Sequence, residues 1–398
     1  MSPRKTRIGI DGRYIQDQYH GIGRYTFELL RHMIAMAPEF TFVVFWDASC
    51  LNTRFDLAGV LRRPGVESVP VPLPLYGPRA QLALPFLAWR RRLDLFHAPF
   101  FGFPLLVPCP LVVTVHDLIF ERYPEYMSIR WAYLYYRLLM TLGLARASGV
   151  TVVSEATRSD LCRYYALPFA KVKVAPPASD EHFKPAAPEV VEAVRRRYGL
   201  PDAFILNVGA RRPNKNLGAV VRALGRIRDE LPHSLVLVGE RDRRFPDEVR
   251  AVAEQAGLLD RIYELGKVPE ADLPGLYSAA SALVFPSIIE GFGSPVHEAL
   301  ACGVPVITSN CSSLPEVAGD AAVLIDPTDE AQLVDALRRV LTDVQLAAEL
   351  RVRGPRQAAR FSWARAADLT LQLYDAVLGV SYQRQPPPPA EVLVPAAI

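Results

Sequence analysis

The stretch Ala282-Leu-Val-Phe-Pro-Ser-Ile-Ile-Glu-Gly-Phe-Gly-Ser-Pro-Val-His-Glu298 decides the fold of this chain. Its apolar beginning predicts a buried parallel strand. Ser294 is a favourable N-cap residue and Pro295 suits the first helical position, so a helix is expected to begin there. The stretch therefore predicts a strand, a glycine-containing loop and a helix, as in α/β sheets.

Two carboxylates, Glu290 and Glu298, lie on the loop and in the first part of this helix. Gly291 and Gly293 allow the backbone to approach a ligand closely. A helix N-terminus offers free N–H groups and the positive end of a dipole, which favours a phosphate. A carboxylate can accept hydrogen bonds from two vicinal sugar hydroxyls. The pattern suits a diphosphate between two polyhydroxyl groups, although a loop with incidental acids would have the same spacing.

The bulk composition indicates a globular protein with two domains. The chain has 398 residues, which is too many for one ordinary core. Half of the residues are apolar and 22% are charged, which excludes a disordered chain. The net charge of +3 is close to neutral, so no broad nucleic-acid surface is implied. The basic bias is local, in residues 90–92, 195–197 and 241–244.

The five cysteines indicate neither a disulfide framework nor a zinc site. Their number is odd and no Cys-x-x-Cys pair occurs. A reducing cytoplasm is therefore the expected compartment. The first residues also lack the apolar core of a signal peptide.

Residues 93–115 are largely apolar and need to be distinguished from a membrane span. They include Asp94, His97 and four prolines. A spanning helix of about 20 apolar residues does not tolerate that many breaks without partners. The pattern instead predicts a buried strand, a loop and a second buried strand.

Strand and helix patterns alternate along the whole chain. Strands are predicted at residues 7–10, 41–46, 93–97, 111–115, 149–153, 171–174, 204–208, 234–238, 262–265, 282–286 and 304–308. Helices are predicted over residues 25–37, 217–229, 246–256, 273–280, 330–341, 344–359 and 361–378. The alternation predicts an α/β fold of parallel sheets with helices on both faces, and residues 175–185 form a linker rich in breakers.

The spacing of Glu290 and Glu298 resembles the Glu-x7-Glu pattern of retaining glycosyltransferases with the GT-B fold, in particular family 4. The resemblance extends over roughly residues 5 to 380 and implies two Rossmann-like, doubly wound domains that face a cleft. Residues 1–183 would form the acceptor-side domain and residues 184–360 the nucleotide-sugar domain. The helix at 361–380 would pack back on the first domain, and residues 381–398 would form a loose, proline-rich tail.

A basic loop follows the first strand of the second half. In Gly209-Ala-Arg-Arg-Pro-Asn-Lys215, the lysine matches the family residue that binds the donor diphosphate. Its role would be to neutralise negative charge on the leaving nucleoside diphosphate. The family often has an arginine directly after the glycine, where this chain has Ala210. Arg211 or Arg212 is therefore expected to substitute, and the sequence leaves both open.

Gly21-Ile-Gly-Arg24 resembles the family's first glycine-rich loop, which would open a helix and offer N–H groups to the donor phosphate. Gly21 and Gly23 lack the third glycine of a dinucleotide-binding fingerprint. The acidic residue expected about 20 positions later is also hard to place, which counts against an NAD site.

Two further strand ends resemble family positions in the first half. His116 follows the strand at 111–115 and matches the histidine that contacts the transferred sugar. It is not assigned as a general base, because in a retaining transfer the leaving phosphate itself can accept the proton. Ser154 and Glu155 follow Val153 and match a frequent Val-Ser-Glu of the family. Two interpretations stay open, a contact with the acceptor and a cap of the next helix.

The resemblance assigns the remaining donor contacts. Glu298 would bind the ribose hydroxyls, and Glu290 would bind the sugar of the donor. Other donor contacts would come from the backbone or side chains of Gly239, Lys267, Val268, Phe292, Gly293 and Ser294. No Asp-x-Asp signature is suitably placed, and cations at 211, 212 and 215 can do what a divalent metal does elsewhere. No metal and no cofactor are therefore expected.

The sequence predicts a cytoplasmic retaining glycosyltransferase that uses a nucleotide sugar and a glycan or lipid-linked acceptor. The loop at 209–216 and the run His116-Asp-Leu-Ile-Phe-Glu-Arg-Tyr-Pro-Glu125 resemble bacterial mannosyltransferases of surface-polysaccharide pathways, which favours GDP-mannose over a UDP-sugar. A GT-B-type epimerase and a non-catalytic nucleotide-sugar-binding partner remain alternatives. Aromatic and basic residues at 123–146 suit either a peripheral membrane contact or a helix that packs inside the domain.

Overall fold

The computed structural model describes residues 4–18, 20–75, 77–127 and 130–381. The chain divides into two compact units. The first unit extends to Pro177 and takes up the chain again from Ser362, and the second is Ala178–Phe361. The sequence places the boundaries at 183/184 and 360/361. From residue 382 onward, the predicted tail lies outside the described residues.

The first unit is built on a parallel sheet. Its strands are β1 (Thr6–Asp11), β2 (Phe40–Trp46), β3 (Val66–Pro70), β4 (Leu95–Ala98), β5 (Leu111–Val115), β6 (Gly149–Val152) and β7 (Val172–Val174). Its helices up to the linker are α1 (His20–Met36), α2 (Leu57–Leu61), α3 (Pro78–Arg90), α4 (Ile119–Arg122), α5 (Arg130–Arg146) and α6 (Glu155–Tyr165). The described strands follow the order β3-β2-β1-β4-β5-β6-β7, with every pairing parallel.

The second unit repeats the same plan. Its strands are β8 (Phe204–Val208), β9 (Ser234–Val238), β10 (Ile262–Gly266), β11 (Ala282–Phe285), β12 (Val306–Ser309) and β13 (Val323–Ile325). Its helices are α7 (Pro188–Tyr198), α8 (Leu217–Arg226), α9 (Glu248–Ala256), α10 (Leu273–Ala279), α11 (Ser294–Ala301), α12 (Leu314–Ala318), α13 (Glu330–Thr342) and α14 (Val344–Ala358). The parallel order is β10-β9-β8-β11-β12-β13.

Apolar sequence runs form the central strands because helices cover both faces of each sheet. All residues of β5, β8 and β11 are buried. Each unit has its own core cluster, which includes Phe96 and Val113 in the first unit and Leu235 and Val284 in the second. The predicted fold of two Rossmann-like, doubly wound sheets is confirmed.

The last described helix, α15 (Trp363–Leu378), belongs to the first unit. Ser362 caps it by accepting a hydrogen bond from the backbone N–H of Arg365. The ring of Trp363 meets the edge of Tyr25 on α1 at 5.9 Å between centroids. The second unit therefore ends at Phe361, and the following helix α15 is part of the first unit.

Some elements escape prediction from sequence. The strands β3 and β13 have five and three residues, too short for a clear alternating pattern. The helix α3 contains Pro85, which normally argues against a helix interior. The helix α1 begins at His20, so Gly21 and Gly23 lie in its first turn and not in a loop before it.

The apolar run at 93–115 forms β4, a loop and β5, as the prolines indicate. Among the described residues, no helix is both long and apolar enough to cross a membrane. The five cysteines, at 50, 109, 162, 302 and 311, are free thiols.

Candidate active site

The loop between β11 and α11 ends at a glycine that no other residue can replace without strain. Gly293 has φ +101°, and a Cβ added there would lie 2.7 Å from Cδ2 of Leu314. The helix begins at Ser294, so Ser294 is the first helical residue and the N-cap position is Gly293, one residue earlier than predicted. No side-chain hydrogen bond caps this start among the described residues. Its first N–H groups are therefore suited to an anion.

The loop that follows β8 is fixed to the loop that follows β11. The carbonyl of Asn214 accepts a 2.8 Å hydrogen bond from the backbone N–H of Ile288. The Asn214 side chain donates to the carbonyl of Ile289 at 3.2 Å. These two bonds join residues that are 74 and 75 positions apart along the chain, and they bring together the two loops that carry the predicted diphosphate and sugar contacts.

Lys215 and Glu290 form an ion pair where these loops meet. Lys215 Nζ lies 2.5 Å from Glu290 Oε1, and both side chains are only 14% and 15% exposed. The Lys215 ammonium also lies 4.7 Å from the centre of the Phe285 ring at the end of β11. The partial burial strengthens the interaction relative to a surface pair. The geometry therefore places a cation and a carboxylate side by side at the carboxyl ends of β8 and β11.

Three serines hold Glu290 in place. The buried Ser287 hydroxyl lies 2.5 Å from Glu290 Oε1 and 2.9 Å from the Asn214 carbonyl, and its single proton can be donated to one of them at a time. Ser312 accepts from the N–H of Glu290 at 3.0 Å and donates to its carbonyl at 2.7 Å. Ser313 donates to the same carbonyl at 3.1 Å. The carboxylate and its backbone are therefore preorganised.

Glycines end three neighbouring strands of this sheet. Gly209, Gly239 and Gly266 follow or close β8, β9 and β10, and have φ of +141°, +119° and +65°. A Cβ on Gly239 would lie 2.2 Å from the carbonyl oxygen of Gly209. The close approach of these backbones requires glycine at position 239. The donor contact predicted at Gly239 therefore lies beside the basic loop.

Arg211 and Arg212, the two candidates for a diphosphate-binding arginine, each have an acidic partner of their own. Arg211 Nη1 lies 2.8 Å from Glu264 Oε2, and Arg212 Nε lies 3.1 Å from Asp242 Oδ2. Hydrogen bonds from Arg244, with a smaller contribution from Arg212, hold the pKa of Asp242 well below its ordinary value. Within the described residues, neither arginine joins the Lys215–Glu290 pair.

Glu298 is almost fully buried on the first turns of α11, at 7% exposure. Its Oε2 accepts a 2.8 Å hydrogen bond from the hydroxyl of Tyr277 on α10. One carboxylate oxygen is therefore held by a rigid aromatic side chain. The predicted role at the ribose stays a prediction.

The side chain of Phe292 turns into an aromatic cluster and leaves only its backbone for a ligand. Its ring centre lies 5.5 Å from that of Phe361 and 5.8 Å from that of His297. The ring of His297 accepts at Nδ1 from the N–H of Ser179 and donates from Nε2 to the carbonyl of Ala358. Burial lowers its pKa to about 4. His297, which lies between Glu290 and Glu298 in the sequence, is therefore a neutral residue that packs in the interior.

Lys267 and Val268 follow β10, next to the glycine-lined strand ends. Lys267 is exposed, whereas the side chain of Val268 is buried. A contact of Val268 with a nucleotide base would therefore be made by its backbone, as the resemblance implies.

His116 follows β5 in the first unit, at the carboxyl end of the strand. Its Nε2 lies 2.8 Å from the carbonyl oxygen of Pro99, and its ring meets the edge of Tyr25 at 5.0 Å. Burial lowers its pKa to about 4. Because a carbonyl only accepts, Nε2 carries the proton and Nδ1 of the neutral ring is a hydrogen-bond acceptor. A neutral His116 can accept from a hydroxyl but supplies no positive charge.

The other predicted residues of the first unit lie in helix starts. A Cβ on Gly23 would lie 2.8 Å from the carbonyl oxygen of Tyr14, so this glycine is required for packing in α1, whereas Gly21 has open space around it. Ser154 caps α6 by accepting from the N–H of Thr157 at 3.1 Å. Of the two interpretations of Ser154, the structure shows the helix cap.

One cluster outside these loops has the composition of a metal site. Oxygen and nitrogen atoms of Asp180, His182 and Glu270 lie within 4.8 Å of one another, and His182 Nε2 is 3.8 Å from Glu270 Oε1. All three side chains also make other interactions. His182 is exposed, and exposed acidic groups of this kind commonly occur without an ion.

Sequence reasoning missed Ser287, Ser312 and Tyr277, which position the two glutamates. Ser287 follows directly on the predicted strand and its proline, and a polar residue there is a signal for the carboxyl end of a parallel strand. Tyr277 and Ser312 gave no such signal, because their partners lie 21 and 22 residues away along the chain.

Two family descriptions match the two halves of the chain. "Glycosyltransferase Family 4" matches residues 19–183, and "Glycosyl transferases group 1" matches residues 191–357. The matches fall one in each compact unit apart from residues 178–183. Both descriptions agree with the fold and with the family named from the glutamate spacing.

The chain is similar to curated proteins and to solved structures along most of its length. It is 31% identical to O-antigen chain mannosyltransferase B of Escherichia coli over 378 residues, 89% of this chain and 95% of that protein. It is 31% identical to 2-deoxystreptamine glucosyltransferase of Streptomyces kanamyceticus over 282 residues, 69% and 72% of the two chains. Sucrose-phosphate synthase of Thermosynechococcus elongatus superimposes with a TM-score of 0.71 at 22% identity, covering 95% of this chain and 100% of that one. The last similarity identifies the fold as GT-B.

Proposed function

This chain belongs to glycosyltransferase family 4, whose enzymes are retaining and metal-independent, and we propose that it moves mannose from GDP-mannose to a glycan or lipid-linked glycan acceptor. The nearly full-length similarity to an O-antigen chain mannosyltransferase supports mannose as the transferred sugar. The ion pair of Lys215 with Glu290 is the observation that carries the chemistry. The free thiols fit a reducing cytoplasm as the place of action.

Lys215 is proposed to stabilise the leaving nucleoside diphosphate. Charge develops on the diphosphate as the bond to the sugar breaks, and a preorganised cation lowers the energy of that state more than it lowers the ground state. The ammonium has three N–H donors, so it can keep its bond to Glu290 and still donate to a phosphate oxygen. No reorganisation of the loop is then needed.

Glu290 is proposed to hold the transferred sugar. Its Oε1 contacts Lys215 and Ser287, which leaves Oε2 to accept from a ring hydroxyl. The three serines fix the carboxylate, so it can orient the sugar relative to the diphosphate. In a retaining transfer the acceptor hydroxyl attacks from the face that the leaving phosphate occupies, and a phosphate oxygen takes its proton.

Glu298 is proposed to read the nucleotide ribose. Tyr277 holds one oxygen of this buried carboxylate and fixes the direction of the group, and the two carboxylate oxygens together offer about four acceptor positions for bonds from vicinal hydroxyls. His116 is proposed to accept a hydrogen bond from a hydroxyl of the transferred sugar through Nδ1. Both roles rest on family positions, and that of His116 also rests on the neutral state that burial favours by lowering its pKa.

One observation supports an alternative donor sugar. The glucosyltransferase of Streptomyces kanamyceticus has the same 31% identity as the mannosyltransferase, although over a smaller share of the chain. A UDP-sugar donor therefore remains the alternative. A non-catalytic binding partner is less favoured, because His116, Lys215, Glu290 and Glu298 are all present. An epimerase would need acid and base residues spread around the sugar ring.

Calorimetric titration with GDP, UDP and ADP tests the donor. We expect GDP to bind at least tenfold more tightly than UDP. Tighter binding of UDP would overturn the GDP-mannose proposal while leaving the transferase intact. Absence of binding by all three at millimolar concentration would contradict the nucleotide-sugar site itself. Incubation with GDP-mannose alone, analysed for a new nucleotide sugar, separates an epimerase from a transferase.

A further inference from the structure

Helix α5 of the first unit is apolar on its exposed face as well as on its buried face. The buried face includes Tyr136, Met140 and Leu144. Trp131, at 77% exposure, begins an exposed row that continues at helical spacing with Leu134, Tyr135, Leu138 and Leu142. A surface helix ordinarily has a polar outer face, so this exposed row lacks the partner that its composition requires.

Helix α3 of the same unit has a second exposed apolar row. Its Ala80, Leu84 and Ala88 are buried. Its opposite side exposes Leu82, Phe86 and Trp89, and the rings of Phe86 and Trp89 lie 6.0 Å apart. Trp89 is 65% exposed. Large aromatic side chains are seldom left in water without a partner surface.

One loop, residues 103–109, connects the two rows. The side chain of Gln81 on α3 donates to the carbonyl of Phe103 at 2.8 Å. Phe103 packs against α5, because a Cβ at Gly143 would coincide with its ring. Arg146 at the end of α5 donates to the carbonyl of Val107 at 2.9 Å. Leu106, between these attachment points, is 70% exposed and extends the apolar surface from one helix to the other.

The segments that form this surface are free of acidic residues. No Asp or Glu occurs at residues 68–93, 95–116 or 127–154. Exposed arginines lie at both ends of α3, at Arg79 and Arg90, and at Arg92 just beyond it. The nearest acids in sequence, Glu67 and Asp94, are already paired with Arg7 or Arg91 and with Arg4. The surface is therefore apolar and aromatic with a basic border.

This charge pattern selects among the possible occupants of the surface. A second copy in a two-fold dimer would bring the same surface against itself, with arginines on both sides and no acids to pair them. An anionic bilayer supplies phosphate groups for the arginines and an apolar layer for the leucines and tryptophans. Helices with one apolar face and a basic border lie along the surface of such a bilayer.

We propose that α3, Leu106 and α5, here called the apolar face, dock the first unit onto a bilayer that contains anionic lipids. Trp89 and Trp131 insert at the level of the headgroups, and Arg79 and Arg90 bind lipid phosphates. None of its residues is proposed to bind the nucleotide sugar, so the inference does not depend on the identity of the donor. It gives the enzyme a direct route to an acceptor that is itself anchored in the bilayer.

Vesicle flotation tests the apolar face. The full chain is mixed with vesicles of phosphatidylcholine alone or with 3:7 phosphatidylglycerol to phosphatidylcholine, a composition of about one-third anionic lipid. We expect the protein to float with the anionic vesicles and to remain mostly free with the neutral ones. Trp131→Ser with Leu138→Ser should lower the bound fraction at least tenfold, and Arg79→Glu with Arg90→Glu should lower it and weaken its dependence on salt.

Matched variants separate the apolar face from general surface hydrophobicity and charge. Val344→Ser with Val352→Ser removes two exposed apolar side chains of α14, and Arg196→Glu with Arg339→Glu reverses two exposed charges of the second unit. Both should float like the unaltered chain. Calorimetric binding of the nucleoside diphosphate should be the same in all variants, which checks that each is folded. Failure of the unaltered chain to float, or equal loss in the matched variants, would overturn the proposal. So would a dimer in sedimentation that only the Trp131→Ser, Leu138→Ser variant abolishes.

Discussion

Lys215 Nζ and Glu290 Oε1 lie 2.5 Å apart although 75 residues separate them along the chain. The contact joins the loop after β8 to the loop after β11, two strands that are neighbours in the sheet. Each loop alone is a basic or an acidic surface turn. Together they form a partly buried pair of opposite charges, which we propose binds the sugar and the diphosphate of the donor.

Replacing Ser287 by alanine should weaken the site without changing its charge. The variant removes the hydroxyl between Glu290 and the Asn214 carbonyl, so the carboxylate loses one fixed partner. We expect the transfer rate to fall about tenfold and the free energy of unfolding to fall by about 1 kcal/mol. Steady-state donor turnover and denaturant unfolding measure the two effects.

Ser309→Ala is the matched control for this change. Ser309 is also a buried serine in the second unit, and its hydroxyl has no hydrogen-bond partner among the described residues. Its replacement should leave the transfer rate unchanged and the stability equal or slightly higher. A similar loss of activity in both variants would argue against a positioning role for Ser287.

Replacing Glu298 by glutamine should abolish recognition of the ribose. The charge of the carboxylate strengthens hydrogen bonds from vicinal hydroxyls, and the amide keeps the shape without that charge. We expect the affinity for a nucleoside diphosphate to fall about tenfold, while the affinity for its 2′-deoxy counterpart changes little. Tyr277→Phe should give a smaller loss of the same kind, because it frees the carboxylate to rotate. Undiminished preference for the ribose form in Glu298→Gln would exclude the assignment.

Stability should fall on acidification because buried histidines resist protonation. Burial lowers the pKa of His97 to about 3 and that of His297 to about 4. Below pH 6.5 the unfolded chain therefore binds protons that the folded chain does not, and stability is lost as the pH falls from about 6.5 towards 4. At pH 5.5 each histidine should cost about 1 kcal/mol relative to pH 7.5.

Denaturant unfolding at pH 7.5 and pH 5.5 measures this dependence. His297→Gln should reduce the difference between the two values, and His97→Gln should do so for the first unit. Equal stability of the unaltered chain at both pH values would contradict the expectation.

Tyr374 anchors α15 to the sheet of the first unit. Its hydroxyl lies 2.6 Å from Nδ1 of His97, whose Nε2 lies 2.7 Å from the hydroxyl of Thr114 on β5. Tyr374→Phe leaves His97 with an unpaired, fully buried nitrogen, so we expect a loss of about 1–3 kcal/mol in unfolding free energy. Thermal unfolding measures it, with the exposed Tyr164→Phe as a variant that should change stability by less than about 0.5 kcal/mol. An equal effect of the two changes would rule out the anchor.

Local patterns predict much of the fold and part of the site. The strand, the glycine-containing loop and the helix of residues 282–298 are predicted by residues that are adjacent in the sequence. The structure differs there only in the N-cap residue, which is Gly293 in place of Ser294. Gly21 and Gly23 resemble a glycine-rich loop of the family, yet both lie in the first turn of α1, and Gly23 is required where this helix passes the carbonyl of Tyr14. Such packing between distant segments has no signal in a single sequence.

Pairings between loops are also beyond local prediction. The basic loop indicated a diphosphate site, but which acid each cation meets depends on the order of strands in the sheet. Arg211 reaches Glu264 on β10, and Arg212 reaches Asp242 after β9. A sequence with 42 acidic residues offers no means of choosing those partners in advance.

The affinity of Lys215→Ala for a nucleoside diphosphate, measured by calorimetry, tests the central claim most directly. The unaltered chain and Lys184→Ala, which changes an exposed lysine, serve as references. A second variant combines Lys215→Ala with Glu290→Gln. The neutral amide in this variant replaces the carboxylate that Lys215→Ala alone would leave without its cation. We predict at least tenfold weaker diphosphate binding in both Lys215 variants, equivalent to about 1.4 kcal/mol, and an unchanged affinity for the nucleoside without phosphates. Diphosphate affinity equal to that of the unaltered chain would contradict the account.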